Sequence, residues 1–366
     1  MSTNNRTGRK RDYVGVLSSV FAIVIGLLVG FVILLICNPS QALPGFVTIL
    51  TGAFTHGLKG VGQVFYYATP IILTGLSVGF AFKTGLFNIG TPGQFIVGAF
   101  AAVYVGIMWT GLGRIQWAVA LLAAILGGAL WGMVPGFLKA CFNVNEVIAS
   151  IMMNYIGMYM VNWIVKSYKP LFNNLRNESR NVAATAQIPK MGMDKLFPES
   201  SVGGGILLAI AAVLIIWVIL NKTTFGYELK AVGFNRDASR YAGINEKWNI
   251  IMSMVIAGAI AGMAGGLLYL AGTGKHIEIK DVLASEGFTG ISVALLGLSH
   301  PIGVLFSGLF IAYLTAGGFY LQLFEFSTEI IDIIVAVIIY FSAFALIVKT
   351  ILTRMNRKRE KGDGRT

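Results

Sequence analysis

At 366 residues, with 56% hydrophobic, only 12% charged and 45 glycines, the chain is too apolar for a soluble globular protein, which averages about 45–50% apolar and about 25% charged. Its net charge of +12 does not mark a nucleic-acid binder: the basic residues sit in tails and loops beside apolar runs, where they fit the positive-inside pattern and attraction to anionic lipid. An all-α integral protein of the cell membrane is expected, without a separate soluble domain, because the polar segments are too short to bury a core.

Residues 1–13 form a basic tail carrying Arg6, Arg9, Lys10 and Arg11. The apolar run 14–36 is too long for a signal-peptide core and lacks a small-residue cleavage site, so it reads as a retained signal anchor. Charge-free windows mark further spans at 61–82, 92–111, 117–138, Glu146 to Lys166, 203–221, 248–272, 286–298, 301–321 and Asp332 to Lys349. A crossing needs roughly 20 residues for about 30 Å of hydrocarbon. About ten transmembrane helices therefore fill 14–352, followed by a second basic tail, 353–366. The stretch 38–58 predicts a partial or interfacial helix, and 286–298 is short enough to predict a broken or re-entrant one.

Ten crossings put both termini on one side. Basic residues concentrate in the tails and in 222–247, which makes that side cytoplasmic and the loop 167–202 extracytoplasmic. Cys37 and Cys141 then lie at opposite faces, out of disulfide reach. Gly128, Gly132 and Gly136, and again Gly258, Gly262 and Gly266, recur every four residues and predict close helix packing. Their similar places in the two halves hint at an internal repeat.

Catalytic machinery is missing from the sequence. It has no GxxxxGK[ST] phosphate loop, no GxSxG elbow and no carboxylate pair on one helix face. His56, His276 and His300 fall in three separate loops, so no metal set is expected. No enzyme activity and no cofactor bound by this chain are expected.

Polar residues at membrane depth remain. The junction 83–94, with Phe87, Asn88 and Gln94, reads either as a broken backbone lining a substrate path or as a plain cytoplasmic turn. Asn145 and Glu146 open the fifth span, and Glu146, Ser150 and Asn154 share one face at i, i+4 spacing. Glu286 and Asp332 are intramembrane acids, either functional or buried against a neighbouring helix amide. Phe87, Tyr155, Tyr159, Trp163 and Phe288 either stack on a ring or pack.

The segment Thr224 to Glu246 is the long hydrophilic passage on the expected cytoplasmic side. It reads as two short helical turns broken at Gly226 and Gly233, with Asn235 as N-cap, Asp237 in the first turn and a stop at Gly243. Ala231, Val232, Phe234, Ala238, Tyr241 and Ile244 give it a small apolar face. It is either a solvated loop or a docking helix for a soluble partner.

Four strings, GLFNIGTPGQ (85–94), NEVIASIMMNYI (145–156), TFGYELKAVGFNRDASRYAGI (224–244) and EGFTGISVALLG (286–297), resemble the permease subunits of ABC importers in the ribose/galactose-type superfamily. They are most similar to its nucleoside-importer branch, although Thr91-Pro92 departs from the usual small-acidic pair. The resemblance implies alternating access and a heterodimer with a second, homologous permease. It also implies ABC ATPase subunits that use ATP, and an extracytoplasmic substrate-binding lipoprotein. Carried onto this chain, it places Glu228, Ala231, Gly233, Asn235, Arg236, Ala238, Tyr241, Gly243 and Ile244 at the ATPase. The substrate pathway would take Phe87, Asn88, Gln94, Asn145, Glu146, Asn154, Tyr155, Glu286 and Phe288. A sugar permease of the same superfamily and an ion-coupled secondary transporter are the alternatives.

Overall fold

A computed structural model describes residues 24–327, together with Phe21 and seven positions between 330 and 341. Both tails, the start of the first expected span and Asp332 lie outside the described residues. In chain order the helices are α1 (Val24–Cys37), α2 (Ala42–Thr55), α3 (Gly57–Lys83), α4 (Thr91–Met108), α5 (Gln116–Phe142), α6 (Glu146–Ser167), α7 (Met193–Leu196), α8 (Gly205–Lys222), α9 (Thr224–Phe234), α10 (Arg236–Tyr241), α11 (Glu246–Tyr269), α12 (Ser285–Leu296) and α13 (Pro301–Phe319). Strands β1 (Phe172–Asn173) and β2 (Glu178–Ser179) make one small antiparallel hairpin.

Seven helices among the described residues are long and apolar enough to cross a membrane: α3, α4, α5, α6, α8, α11 and α13. Each matches an expected span within a few residues. The run 286–298 is not a crossing, because the 12 residues of α12 rise only about 18 Å at 1.5 Å per residue. The helix expected in 38–58 is α2, with 14 residues.

α3 runs through the core and is buried continuously from Ala68 to Ala81. α12 and α13 lie against it through small residues, with Gly290 on Thr74 and Gly308 on Ile72. α4, α5 and α11 form a second tightly packed group. Here the two glycine stripes oppose one another. A Cβ on Gly128 would overlap the Gly258 carbonyl oxygen, one on Gly132 would meet Met254 O at 2.5 Å, and one on Gly262 would overlap Ala124 O. Without a hydrophobic drive between helices in lipid, such backbone contact supplies the attraction. The outward side of α5, by contrast, exposes aliphatic groups at Leu122, Leu126 and Leu130.

The two ends of the bundle differ. At one end α9 and α10 lie against the last turns of α3 and α8 and the start of α11, with Leu86, Ala140, Val232, Ile250 and Met254 in one apolar cluster. At the opposite end the segment 168–202 is laced down by backbone bonds, from Ala183 N–H to Gly106, Ile188 N–H to Leu270, and Ser179 N–H to Ile277. Cys37 and Cys141 are both free thiols.

Candidate functional site

The backbone between α3 and α4 is broken. Thr84 ends α3, Gly85 turns back at φ 77°, and residues 84–90 run non-helically beside the helix they have just left. They rise to the level of Ser77, six residues before the end of α3, where Thr91 and Pro92 start α4. Proline suits that first turn, since its missing N–H would have had no helical partner there.

A break inside a bilayer must have its backbone groups satisfied by protein or water. Asn154 of α6 does this on both sides of the break. Its Oδ1 accepts from Gly93 N–H at 2.8 Å, and its Nδ2 donates to the Ile89 carbonyl at 2.9 Å. Asn88 and Gln94 form a reciprocal amide pair, Asn88 Nδ2 to Gln94 Oε1 at 2.8 Å and Gln94 Nε2 to Asn88 Oδ1 at 3.0 Å. Asn88 also donates to Ser77 Oγ at 3.3 Å, and Ser77 donates to the Ala257 carbonyl of α11 at 2.7 Å. All four polar side chains are buried. Ser150, on the same face of α6, is buried against Gly90 with its Oγ unpartnered among the described residues.

The other expected pathway residues scatter around this cluster. Asn145 is exposed and caps α6, accepting from Val147 N–H at 2.9 Å. Glu146 turns away from Asn154 to pair with Lys139 at 2.9 Å. Phe87 stacks on Phe82, with ring centroids 5.1 Å apart and the planes 16° from parallel. Tyr155, with Tyr159 and Trp163, stands exposed on the outer face of α6, and Phe288 is exposed on α12. Glu286 pairs with Lys275 at 3.2 Å at the far end of the bundle. The structure therefore brings Asn88, Gln94 and Asn154 together and leaves the rest apart.

The hydrophilic segment is more helical than its glycines suggest. Gly226 and Gly233 do not break it; both lie inside the 11-residue α9. Gly226 is there because a Cβ would overlap the Ile219 carbonyl of α8, and Gly233 because one would reach Thr84 C at 2.6 Å. The cap expected at Asn235 forms, with Oδ1 accepting from Ala238 N–H at 3.0 Å, and Gly243 ends the segment at φ 83°. Glu228 reaches Asn249 at 3.2 Å and Arg236 reaches Glu246 at 3.7 Å, so two of its charges brace the segment against α11. Ala231, Asn235, Ala238 and Ile244 line an open groove of about 660 Å³. Phe234 also lines it, 90% exposed, and Tyr241 of α10 is 95% exposed.

The family described as branched-chain amino acid transport system / permease component matches residues 60–343. The chain belongs to this permease family. The permease is thus a transport subunit and not an enzyme, and it is a multi-pass protein of the cell membrane. It is 38% identical to the guanosine ABC transporter permease protein NupP of Bacillus subtilis, over 93% of this chain and 96% of that one. The nucleoside ABC transporter permease protein NupB of Lactococcus lactis is 34% identical over 96% and 95%. The glucose ABC transporter permease protein TsgB13 of Haloferax volcanii is 31% identical over 81% and 78%. Bacillus subtilis has a second similar chain, the guanosine permease protein NupQ, at 29% over 68% of this chain and 77% of its own. No solved structure matches.

Sequence reasoning missed Ser77 and Ser253. Ser253 of α11 shares a hydrogen bond with Thr84 at the start of the break. Both serines lie in long apolar helices where one small hydroxyl disturbs no window average. Their signal was that each is a rare polar residue in an otherwise apolar span.

Proposed function

We propose that this permease moves nucleosides as one membrane subunit of an ATP-binding-cassette importer. The observation that carries the substrate class is its identity with a guanosine permease and a nucleoside permease across nearly the whole chain. The pair of similar permeases in Bacillus subtilis supports a second, homologous permease beside this one. An extracytoplasmic binding lipoprotein would deliver the substrate.

The partner ATPase would seat on α9–α10 from the cytoplasm. The groove lined by exposed Phe234, and the exposed Tyr241 of α10, support that reading, since large apolar groups on water-facing surface mark interaction sites. ATP-driven closure would pull on this segment and, through Gly233 and Gly85, on the broken backbone that carries Asn88. A change of state needs contacts that differ between the two states, and the amide pair of Asn88 and Gln94 is an element that can re-pair.

The glucose relative supports a second reading, a simple-sugar importer. Co-purification from the native membrane, followed by uptake competition, separates the readings. An ATPase and a homologous permease should travel with this chain, and nucleosides should compete for uptake. Competition by hexoses or pentoses alone would replace the nucleoside reading, and uptake that persists without ATP would end the ABC reading.

A further inference from the structure

A second polar site lies at the end of the bundle opposite α9–α10. It is a cavity of about 330 Å³ enclosed by α4, α6, the end of α11 and the strap of residues 275–286, within the size range of small-molecule sites. Ile96 and Met158 give it an apolar side, while Asn162, Tyr269, His276 and Glu286 give it polar groups. These groups are held but not used up. Asn162 donates its amide to the Lys280 carbonyl at 3.0 Å and Asp281 at 3.3 Å, leaving its own Oδ1 open. The Tyr269 hydroxyl and the His276 ring make no hydrogen bond among the described residues. Glu286 is braced by Lys275 at 3.2 Å and by Ser285 Oγ at 3.4 Å, with lone pairs to spare on both oxygens.

The charges that line the cavity cancel. Lys275 pairs with Glu286, and Lys280 with Glu278 at 2.9 Å. A phosphorylated ligand would meet two carboxylates, and a zwitterionic amino acid would have to part both ion pairs. A neutral ligand rich in hydroxyls adds hydrogen bonds without breaking any. A carboxylate fixed by a cation is a strong acceptor for paired hydroxyls, and the apolar side suits a flat ring.

We propose that this cavity is the outer recognition site for an uncharged nucleoside, with Glu286 and Tyr269 receiving the ribose diol and Ile96 and Met158 flanking the base. The assignment rests on the nucleoside reading above and extends it to particular side chains.

The test uses the complete transporter with its ATPase and binding protein, with Cys37 and Cys141 replaced by serine and Val282→Cys placed at the cavity rim. A membrane-impermeant thiol reagent applied from outside should label Val282→Cys, and saturating guanosine should slow labelling about tenfold. Glu286→Gln, which loses a charged hydrogen bond worth roughly tenfold or more in affinity, should cut that protection to about twofold or less at the same guanosine concentration. No labelling, labelling that guanosine does not slow, or equal protection in Glu286→Gln each overturns the assignment. Protection by leucine in place of guanosine overturns it as well. Guanosine uptake by the parent transporter is measured in parallel: uptake with an unprotected cavity sinks this site alone, whereas no uptake of any nucleoside sinks the substrate reading.

Discussion

Gly85 and Gly233 touch backbone to backbone. A Cβ on Gly85 would stand 2.5 Å from Gly233 Cα, and one on Gly233 would stand 2.7 Å from Gly85 N. Gly85 belongs to the broken backbone below the amide cluster and Gly233 to the end of α9, so the exposed segment and the buried break are joined with no side chain between them. Gly233→Ala should force the two apart at a cost of about 1–3 kcal/mol. The expected outcome is a loss of uptake roughly tenfold or greater, with membrane insertion retained. Uptake at the parental rate in Gly233→Ala would show that the contact transmits nothing.

Phe234 and Tyr241 offer a cleaner test of docking, because their side chains pack on almost nothing in this chain. Phe234→Asp and Tyr241→Asp should therefore leave the stability in detergent within about 0.5 kcal/mol of the parent's. Co-purification of the ATPase should drop sharply. A pull-down as strong as the parent's rules this face out as the seat.

Asn154→Ala leaves Gly93 N–H and the Ile89 carbonyl without their side-chain partner in a buried place. Each orphaned group costs about 1–3 kcal/mol, so a large fall in the thermal midpoint is expected. Asn145→Ala, nine residues earlier on the same helix, removes an exposed cap worth about 1 kcal/mol and should fall far less. Equal shifts in the two variants would mean that Asn154 does not hold the break.

The glycine stripes make the fourth case. Gly128→Leu must drive its side chain into the Gly258 carbonyl and the Gly262 backbone, and the folded yield should collapse. Leu126→Ala, two residues away but exposed, should change stability by less than about 0.5 kcal/mol. Comparable yields from the two would place the stripe away from the α5–α11 contact.

Much of this was legible in the sequence, for reasons that differ by residue. The long spans were, because charge cannot be left in hydrocarbon, and so windows without charge mark them. Gly128 and Gly258 announced close packing by their spacing, but that they face each other is a tertiary fact no spacing carries. The break at 84–90 was legible in its Gly and Pro, and Asn88, Gln94 and Asn154 in their cost at membrane depth. The roles of Gly226 and Gly233 were not: a glycine that ends a helix and one that admits a neighbouring backbone look alike until the neighbour is known. Glu146 was misplaced with Asn154 because a shared helix face says nothing of Lys139, seven residues back on another helix.

The opposed glycines of α5 and α11 also limit how this protein can move. Side chains that interdigitate can change rotamer and slip, but two backbones in contact have nothing to rotate. Sliding one past the other would bring a Cβ-bearing neighbour against a carbonyl. The two helices must travel as one strut, and any opening that admits a passenger has to be hinged along its flanks.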